Sequence, residues 1–206
     1  MTERRIIHLV DDEESIRRSA GFMLRTSGFT VETYESGDAF LKVAKDAEPG
    51  CILLDIRMPG MDGLEVQQAL AERGVTMPVV MLTGHGNVDL CRRAFKGGAM
   101  EFLQKPVDDD VFLDAVQAAV RLHIASRERQ AVTLAASERL ARLSGREHDV
   151  LVRIVTGMSN KEIARELELS PRTVETYRAN VFDKLEADSL AQLIRQYAGL
   201  LDEPSP

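Results

Sequence analysis

The chain has 206 residues, 44% hydrophobic and 29% charged, which is enough apolar mass for one large or two small packed cores and too much for wholesale disorder. The net charge of −7 argues against a uniformly basic nucleic-acid binder, and no apolar run approaches the roughly 20 residues of a membrane span. The opening segment turns acidic too early for a signal peptide, and Cys51 and Cys91 form neither a CxxC pair nor a metal-like cluster, so both are read as buried thiols of a cytoplasmic protein.

Strand-like runs stand at 6–10, 29–34, 51–54, 79–82 and 100–103, with helical stretches starting near Glu14, Gly37, Gly63, Asn87 and Asp110. The first, third and fourth runs are continuously apolar, the mark of central strands in a parallel sheet covered on both faces. Asp62 with Glu65 has capping-box spacing at one helix start. Five β/α units in about 120 residues predict a small doubly wound α/β fold. From Val111 to Leu143 a long helical stretch carries an apolar stripe of Phe112, Ala115, Val116, Ala119, Val120 and Ile124, then turns polar at "SRERQ". It reads as the last helix of the first domain running into a linker helix, with a signalling or dimerising helix as the alternative. Beyond it only helices are predicted. "SGRE" and "SNKE" are capping boxes, "SPRT" offers Ser170 as N-cap with Pro171 at the first helical position, and Asp188 can cap a fourth helix. Four short helices, the middle two joined by "ELELS", resemble a helix-turn-helix domain.

In an open α/β sheet, ligands bind beyond the carboxyl ends of the strands where the winding reverses. Strand one ends in Asp11 and Asp12, and strand three in Asp55, neighbours in a 2-1-3-4-5 order. Three converging carboxylates repel unless neutralised, and a hard divalent cation resolves this: Mg²⁺ needs only one or two carboxylates plus waters. Strand four ends in the hydroxyl of Thr83, and strand five is followed by the ammonium of Lys105. Such a set suits a tetrahedral anion beside a metal. His85, in the loop after Thr83, is read as a loop residue and not a catalytic base. Phe102 on its own reads as sheet-edge packing.

"VDDEE", "LLDIRMPGMDG", "MLTGHG" and "FLQKP" resemble the receiver domain of two-component response regulators across residues 4–121. The resemblance implies a flavodoxin-like (βα)5 fold and phosphoryl transfer from a sensor histidine kinase to Asp55. It further implies Mg²⁺ held by Asp12 and Asp55, by Asp11 through water and by the backbone carbonyl of Arg57, with Lys105 pairing the phosphoryl oxygens. Thr83 and Phe102 are the implied switch pair. The segment holding "GMSNKEIA" and "LSPRTVETYRANVFDKL" resembles the LuxR/NarL-type DNA-binding domain, its FixJ branch most closely, over roughly residues 139–200. The expected organisation is a receiver at 4–121, a helical linker at 122–142 and an all-α four-helix helix-turn-helix domain at 143–206.

The third helix of that domain can be read independently. Val174, Tyr177, Val181 and Leu185 share one face, and Arg172, Thr176, Ala179 and Asp183 the opposite one. The N-terminal end of a recognition helix enters the major groove first, which puts Arg172, Glu175 and Thr176 at base edges. Asn160, Lys161, Thr173, Arg178 and Lys184 are placed for phosphates. Many relatives carry Lys where Glu175 and Ala179 stand, and residues 143–206 hold 8 Lys+Arg against 11 Asp+Glu. A monomer is therefore expected to bind DNA poorly, and a phosphorylation-induced homodimer on paired half-sites of promoter DNA better. RNA polymerase is a further implied partner, and no membrane is. Three rivals remain. A phosphatase of the haloacid-dehalogenase kind would need an acid two residues after Asp55, where Arg57 stands. A flavodoxin-like FMN binder would set its phosphate against acidic strand ends. An adaptor would use the helical domain to bind protein.

Overall fold

A computed structural model describes residues 5–84 and 86–201; residue 4, His85 and residues 202–206, which the expectations above include, lie outside the described residues. The chain divides into two units, Met1–Arg127 and Glu128–Pro206.

Three apolar runs build the centre of the first unit. Among the described residues β1 (Ile6–Val10), β2 (Thr30–Tyr34), β3 (Gly50–Asp55), β4 (Val79–Thr83) and β5 (Glu101–Gln104) form one parallel sheet in the order β2-β1-β3-β4-β5. Every residue of β1, β3 and β4 is buried, while β2 and β5 are exposed edges. Helices α1 (Glu14–Thr26), α2 (Gly37–Leu41), α3 (Gly63–Glu72) and α4 (Val88–Lys96) alternate with the strands, and α5 (Asp109–Leu140) follows. Side chains alternate across a strand, so the sheet feeds two cores. Ile52, Leu54 and Met81 pack with Phe40, Val66 and Ala94 on one side. Leu9, Leu53 and Leu82 pack with Leu24, Phe112 and Val116 on the other. Ile52, Leu53 and Leu54 are fully buried, each stabilising by about 1.5–3 kcal/mol relative to exposure. That holds the end of β3 rigid.

Register then sets the strand ends. Val10 pairs with Leu54, Asp55 with Leu82 and Thr83 with Gln104. Asp11, Asp55, Thr83 and Lys105 consequently emerge at one edge of the sheet. Beyond Asp55 the chain turns through Gly60 (φ +81°) and enters α3 at Gly63. A Cβ on Gly63 would lie 2.3 Å from the Asp55 carbonyl oxygen, so only glycine lets α3 start this close to β3. The expected capping box of Asp62 and Glu65 is present in both directions, at 2.8 Å each. Cys51 is buried as expected. Cys91 is not: it is half-exposed, because α4 is a peripheral helix whose fully buried residue is Ala94.

The second unit comprises the last turns of α5 with α6 (Gly145–Val155), α7 (Asn160–Glu166), α8 (Pro171–Lys184) and α9 (Leu190–Leu201). Ser144 and Ser159 close their capping boxes, and Ser170 caps α8 ahead of Pro171. The cap of α9 differs from expectation. Ser189, not Asp188, accepts the Gln192 N–H at 3.2 Å, since the helix starts one residue later. Val150, Leu151, Ile154, Ile163, Val174, Val181, Leu193 and Tyr197 fill the core, and Ala136 and Leu140 of α5 pack into it. Helices α7 and α8 both end in a residue with left-handed backbone, Glu168 (φ 55°) and Glu186 (φ 52°). In each the following N–H closes a six-residue ring, Leu169 to Ala164 at 2.8 Å and Ala187 to Phe182 at 3.0 Å.

Glycine is the natural residue at such a position, and a left-handed L-residue is strained by about 1–2 kcal/mol, partly offset by glycine's larger entropy loss. Glu168→Gly is expected to stabilise the C-terminal unit by about 0.5–1 kcal/mol in urea unfolding. Glu186→Gly should gain less, because Glu186 also pairs with Arg139.

Candidate functional site

At the carboxyl ends of the central strands, the Lys105 ammonium lies 2.6 Å from Asp11 Oδ2 and 2.6 Å from Asp55 Oδ1. The remaining oxygens are also engaged. Asp11 Oδ1 accepts the Glu13 N–H at 2.9 Å, and Asp55 Oδ2 accepts the Arg57 N–H at 2.7 Å. Asp11 is fully buried and Asp55 is 4% exposed. Two buried carboxylates thus share one cation, with Asp12 next along the chain and exposed. Burial pushes the Asp55 carboxyl upward and the nearby Asp11 charge adds to this. The Lys105 ammonium and the Arg57 amide pull it down without cancelling the rise. Burial by itself would lower Lys105, but its bonds to Asp11 and Asp55 outweigh it and hold the ammonium charged.

The donor set is all hard oxygen and carries uncompensated negative charge, which fits Mg²⁺. Among the described residues no three His, Cys, Asp or Glu side chains close on one point as a ready cage. Mg²⁺ does not require one, since it keeps several waters and takes one or two carboxylates.

Thr83 and Phe102 stand on the other side of the same strand ends. Leu9, Leu53 and Leu103 face α1 and α5, and by alternation Asp11, Asp55 and Lys105 follow them. Val79 and Met81 face the opposite core, Phe102 packs against that core, and Thr83 shares the parity of Met81. Thr83 is fully buried, and its carbonyl accepts the Lys105 N–H at 2.7 Å. A Cβ on Gly86, in the loop after β4, would lie 3.2 Å from the Phe102 ring, so loop and ring are in close approach. Sequence reasoning passed over Arg17. Its Nη1 donates to the carbonyls of Asp11 at 2.7 Å and Asp12 at 2.9 Å. The available signal was an arginine one helical turn into α1, directly after the paired aspartates.

In the second unit α8 carries Val174 and Val181 inward, with Leu185 buried just past its end and Tyr177 half-buried against the core. Arg172, Glu175, Thr176, Ala179, Asn180 and Asp183 are exposed on it. The Thr176 hydroxyl donates to the Arg172 carbonyl at 3.1 Å. Thr173 is tied into the cap, its hydroxyl 2.7 Å from that of Ser170. Lys161 is exposed, while Asn160 and Arg178 are half-buried. Lys184 is engaged within the domain: its ammonium lies 2.6 Å from Glu147 Oε2 and 3.4 Å from the Arg142 carbonyl. Hydrogen bonding from Lys184, then from the Ser144 backbone, holds the Glu147 carboxyl down to about 2.

The family model described as "Response regulator receiver domain" matches residues 7–117, and that described as "Bacterial regulatory proteins, luxR family" matches residues 141–197. The chain is 39% identical over 205 residues to the transcriptional regulatory protein FixJ of Bradyrhizobium diazoefficiens, covering 98% of this chain and 100% of that one. It is 41% identical to FixJ of Rhizobium meliloti, over 92% of this chain and 93% of that one. Among solved structures, the response regulator StyR superposes with a TM-score of 0.86 at 36% identity, over 95% of this chain and 99% of that one. Full-length FixJ from B. japonicum superposes with a TM-score of 0.61 at 39% identity, over 98% and 100%.

Two pH effects follow. A carboxyl whose folded pKa lies above its unfolded value costs stability once ionised and costs nothing below the unfolded value. Without divalent metal, Asp55→Asn is therefore expected to raise the melting temperature at pH 7, and the gain should vanish as pH falls below the ordinary carboxylate range. Glu147 has the opposite sign. Its contribution is present above the ordinary carboxylate pKa and is lost as pH falls toward about 2. Lys184→Met should lower the melting temperature of the C-terminal unit at pH 7 by roughly 4–8 °C, the shift that about 1 kcal/mol makes in a domain of this size. That difference should close near pH 2. Calorimetry across pH checks both.

Proposed function

Because the chain belongs to the two-component response regulators, with a receiver domain followed by a LuxR-family DNA-binding domain, we propose that Asp55 is its phosphoacceptor and that phosphorylation drives promoter binding. The donor is a sensor histidine kinase. An Asp55 carboxylate oxygen forms the new O–P bond as the P–N bond to the kinase histidine breaks. Such transfer asks the protein mainly for position and charge neutralisation. The observation that carries the reading is the Lys105 ammonium 2.6 Å from both Asp11 and Asp55 at the end of a rigid central strand.

Lys105 is placed to exchange its bond with Asp55 for one with a phosphoryl oxygen. Asp12 and Asp55 would hold Mg²⁺, with Asp11 and the backbone carbonyl of Arg57 completing the set. The metal supplies neutralisation of the phosphoryl oxygens. Thr83 then reports the new group through its hydroxyl and Phe102 through a changed rotamer, a bistable packing step of the kind that converts a local charge into a global signal. The acyl phosphate is a stored signal and not a turnover product, which makes the chain a regulator and not an enzyme.

The receiver is taken as residues 4–121 and the DNA-binding domain as 143–206, joined by a linker over 122–142 that continues α5 as far as Leu140. With Ala136 and Leu140 packed into the C-terminal core, the last turns of that helix work with the DNA-binding domain. Arg172, Glu175 and Thr176 read bases, and Asn160, Lys161, Thr173 and Arg178 meet phosphates. The engagement of Lys184 with Glu147 leaves it a lesser phosphate contact than its place in the helix suggested. A homodimer on two half-sites compensates for a domain without net positive charge. RNA polymerase is the downstream partner, and the cytoplasm is the compartment where kinase domain and promoter are both reached.

Mg²⁺ with a small acyl-phosphate donor is expected to add one phosphoryl group to the wild type and none to Asp55→Asn, read by mass spectrometry. The same treatment should raise operator affinity only in the wild type. An equal response from Asp55→Asn sinks the mechanism. In footprinting, Arg172→Ala should cost about 1–3 kcal/mol and relax preference at one base per half-site, whereas Lys161→Ala should weaken all sequences alike and flatten the salt dependence.

A further inference from the structure

We infer that Arg17 is a positioning residue for the acidic loop: it holds the peptide planes on either side of Asp12 so that this carboxylate faces the metal position. The inference rests on the reading of Asp11, Asp12 and Asp55 as a Mg²⁺ site. An arginine beside three aspartates would ordinarily pair with one of them. Arg17 instead gives Nη1 to two consecutive backbone carbonyls, those of Asp11 at 2.7 Å and Asp12 at 2.9 Å. Among the described residues it pairs with no carboxylate. All its donation at the loop therefore goes to shape.

The loop needs such a hold. Asp11 is anchored from both ends, by its N–H to the Tyr34 carbonyl at 3.2 Å and by its carboxylate to Glu13 N–H and Lys105. Asp12 has an exposed side chain; the peptide after it is held at its N–H by the Asp11 carboxylate and at its carbonyl by Arg17, while the carbonyl of the peptide before it is held by Arg17. The N-cap of α1, Glu13, makes no side-chain cap bond, so its carboxylate adds no further anchor to the loop. Arg17 itself is fixed from the opposite direction, its N–H donating to the Glu13 carbonyl at 3.1 Å. One nitrogen bound to two successive carbonyls fixes both intervening peptides, and with them the direction of the Asp12 side chain. Asp11 and Asp55 are already held by Lys105. Asp12 is the ligand whose direction depends on Arg17.

Charge and position predict opposite signs here. Arg17 is a cation near a cation site, so by Coulomb repulsion alone its removal would tighten Mg²⁺ binding. As a positioning residue, its loss weakens binding, as the loss of other outer partners of metal ligands does. The test is a MgCl₂ titration of the full chain, following the backbone amide shifts of Asp12 and Glu13, with melting temperatures measured in EDTA. Arg17→Ala is expected to raise the Mg²⁺ dissociation constant about tenfold with a smaller loss of metal-free stability from the two carbonyl bonds removed. Arg17→Gln, neutral and too short to reach both carbonyls, is expected to do the same and decides the matter if Arg17→Ala does not fold. Unchanged or tighter binding overturns the inference, and so does weakening matched by an equal loss of metal-free stability. Absence of a saturable response in the wild type itself, with Asp55→Asn behaving identically, instead removes the metal reading on which the inference rests.

Discussion

One ammonium shared between two buried carboxylates organises the first domain. Lys105 reaches Asp11 across 94 residues of sequence and Asp55 across 50. Nothing local brings these groups together; the parallel register of β1, β3, β4 and β5 does. The arrangement is deliberately incomplete in charge. Leaving two buried carboxylates with one cation is costly in a medium that solvates ions poorly. The surplus negative charge at the strand ends is what supports the proposed second cation there and, with it, a phosphoryl group. The site is therefore defined by what the fold withholds as much as by the residues it supplies.

Strand alternation divides the labour around that site. The charged groups follow the α1 and α5 side of the sheet, whereas Thr83 and Phe102 belong to the α3 and α4 side. The charged groups and the Thr83–Phe102 pair thus use opposite faces of the same strand ends, connected through Thr83, whose carbonyl holds the Lys105 backbone. The floor of the site sits on strands buried throughout and has little freedom to move. Phe102 is on an edge strand, half-buried, beside a glycine-bearing loop, where a change of packing costs least.

The second domain solves a different problem. Four short helices cannot stabilise themselves by length, so each start is capped by a serine, and the core is completed by residues of the preceding helix. Two glutamates occupy left-handed positions that glycine would fill with less strain. Glu186 is compensated by Arg139 from α5, which fastens the end of that helix to the corner between α8 and α9. The Lys184–Glu147 pair plays a similar part between α8 and the start of α6. Arg139 and Lys184 are thereby engaged in holding the fold.

Much of this was legible in the sequence, for a physical reason. Continuous apolar runs report burial on both faces, and capping signals are decided within three or four residues, so the strands and the starts of α3, α6, α7 and α8 could be read directly. Strand-end aspartates and Lys105 were legible as a set because a doubly wound sheet presents its strand ends at one edge. What failed to show were pairings and margins. Asp188 and Ser189 are equally good caps until packing decides where α9 begins. Cys91 is as apolar as Cys51, and only its place on a peripheral helix exposes it. Lys184 looked free because its partner is 37 residues away, and Arg17 looked ordinary because its targets are backbone carbonyls that carry no sequence signature. The sequence by itself determined the elements, the two domains and the acids at the strand ends, since these follow from local periodicity and composition. Only the tertiary structure decided which charge meets which, because register and helix docking, not spacing along the chain, place an ammonium within hydrogen-bond reach of a carboxylate.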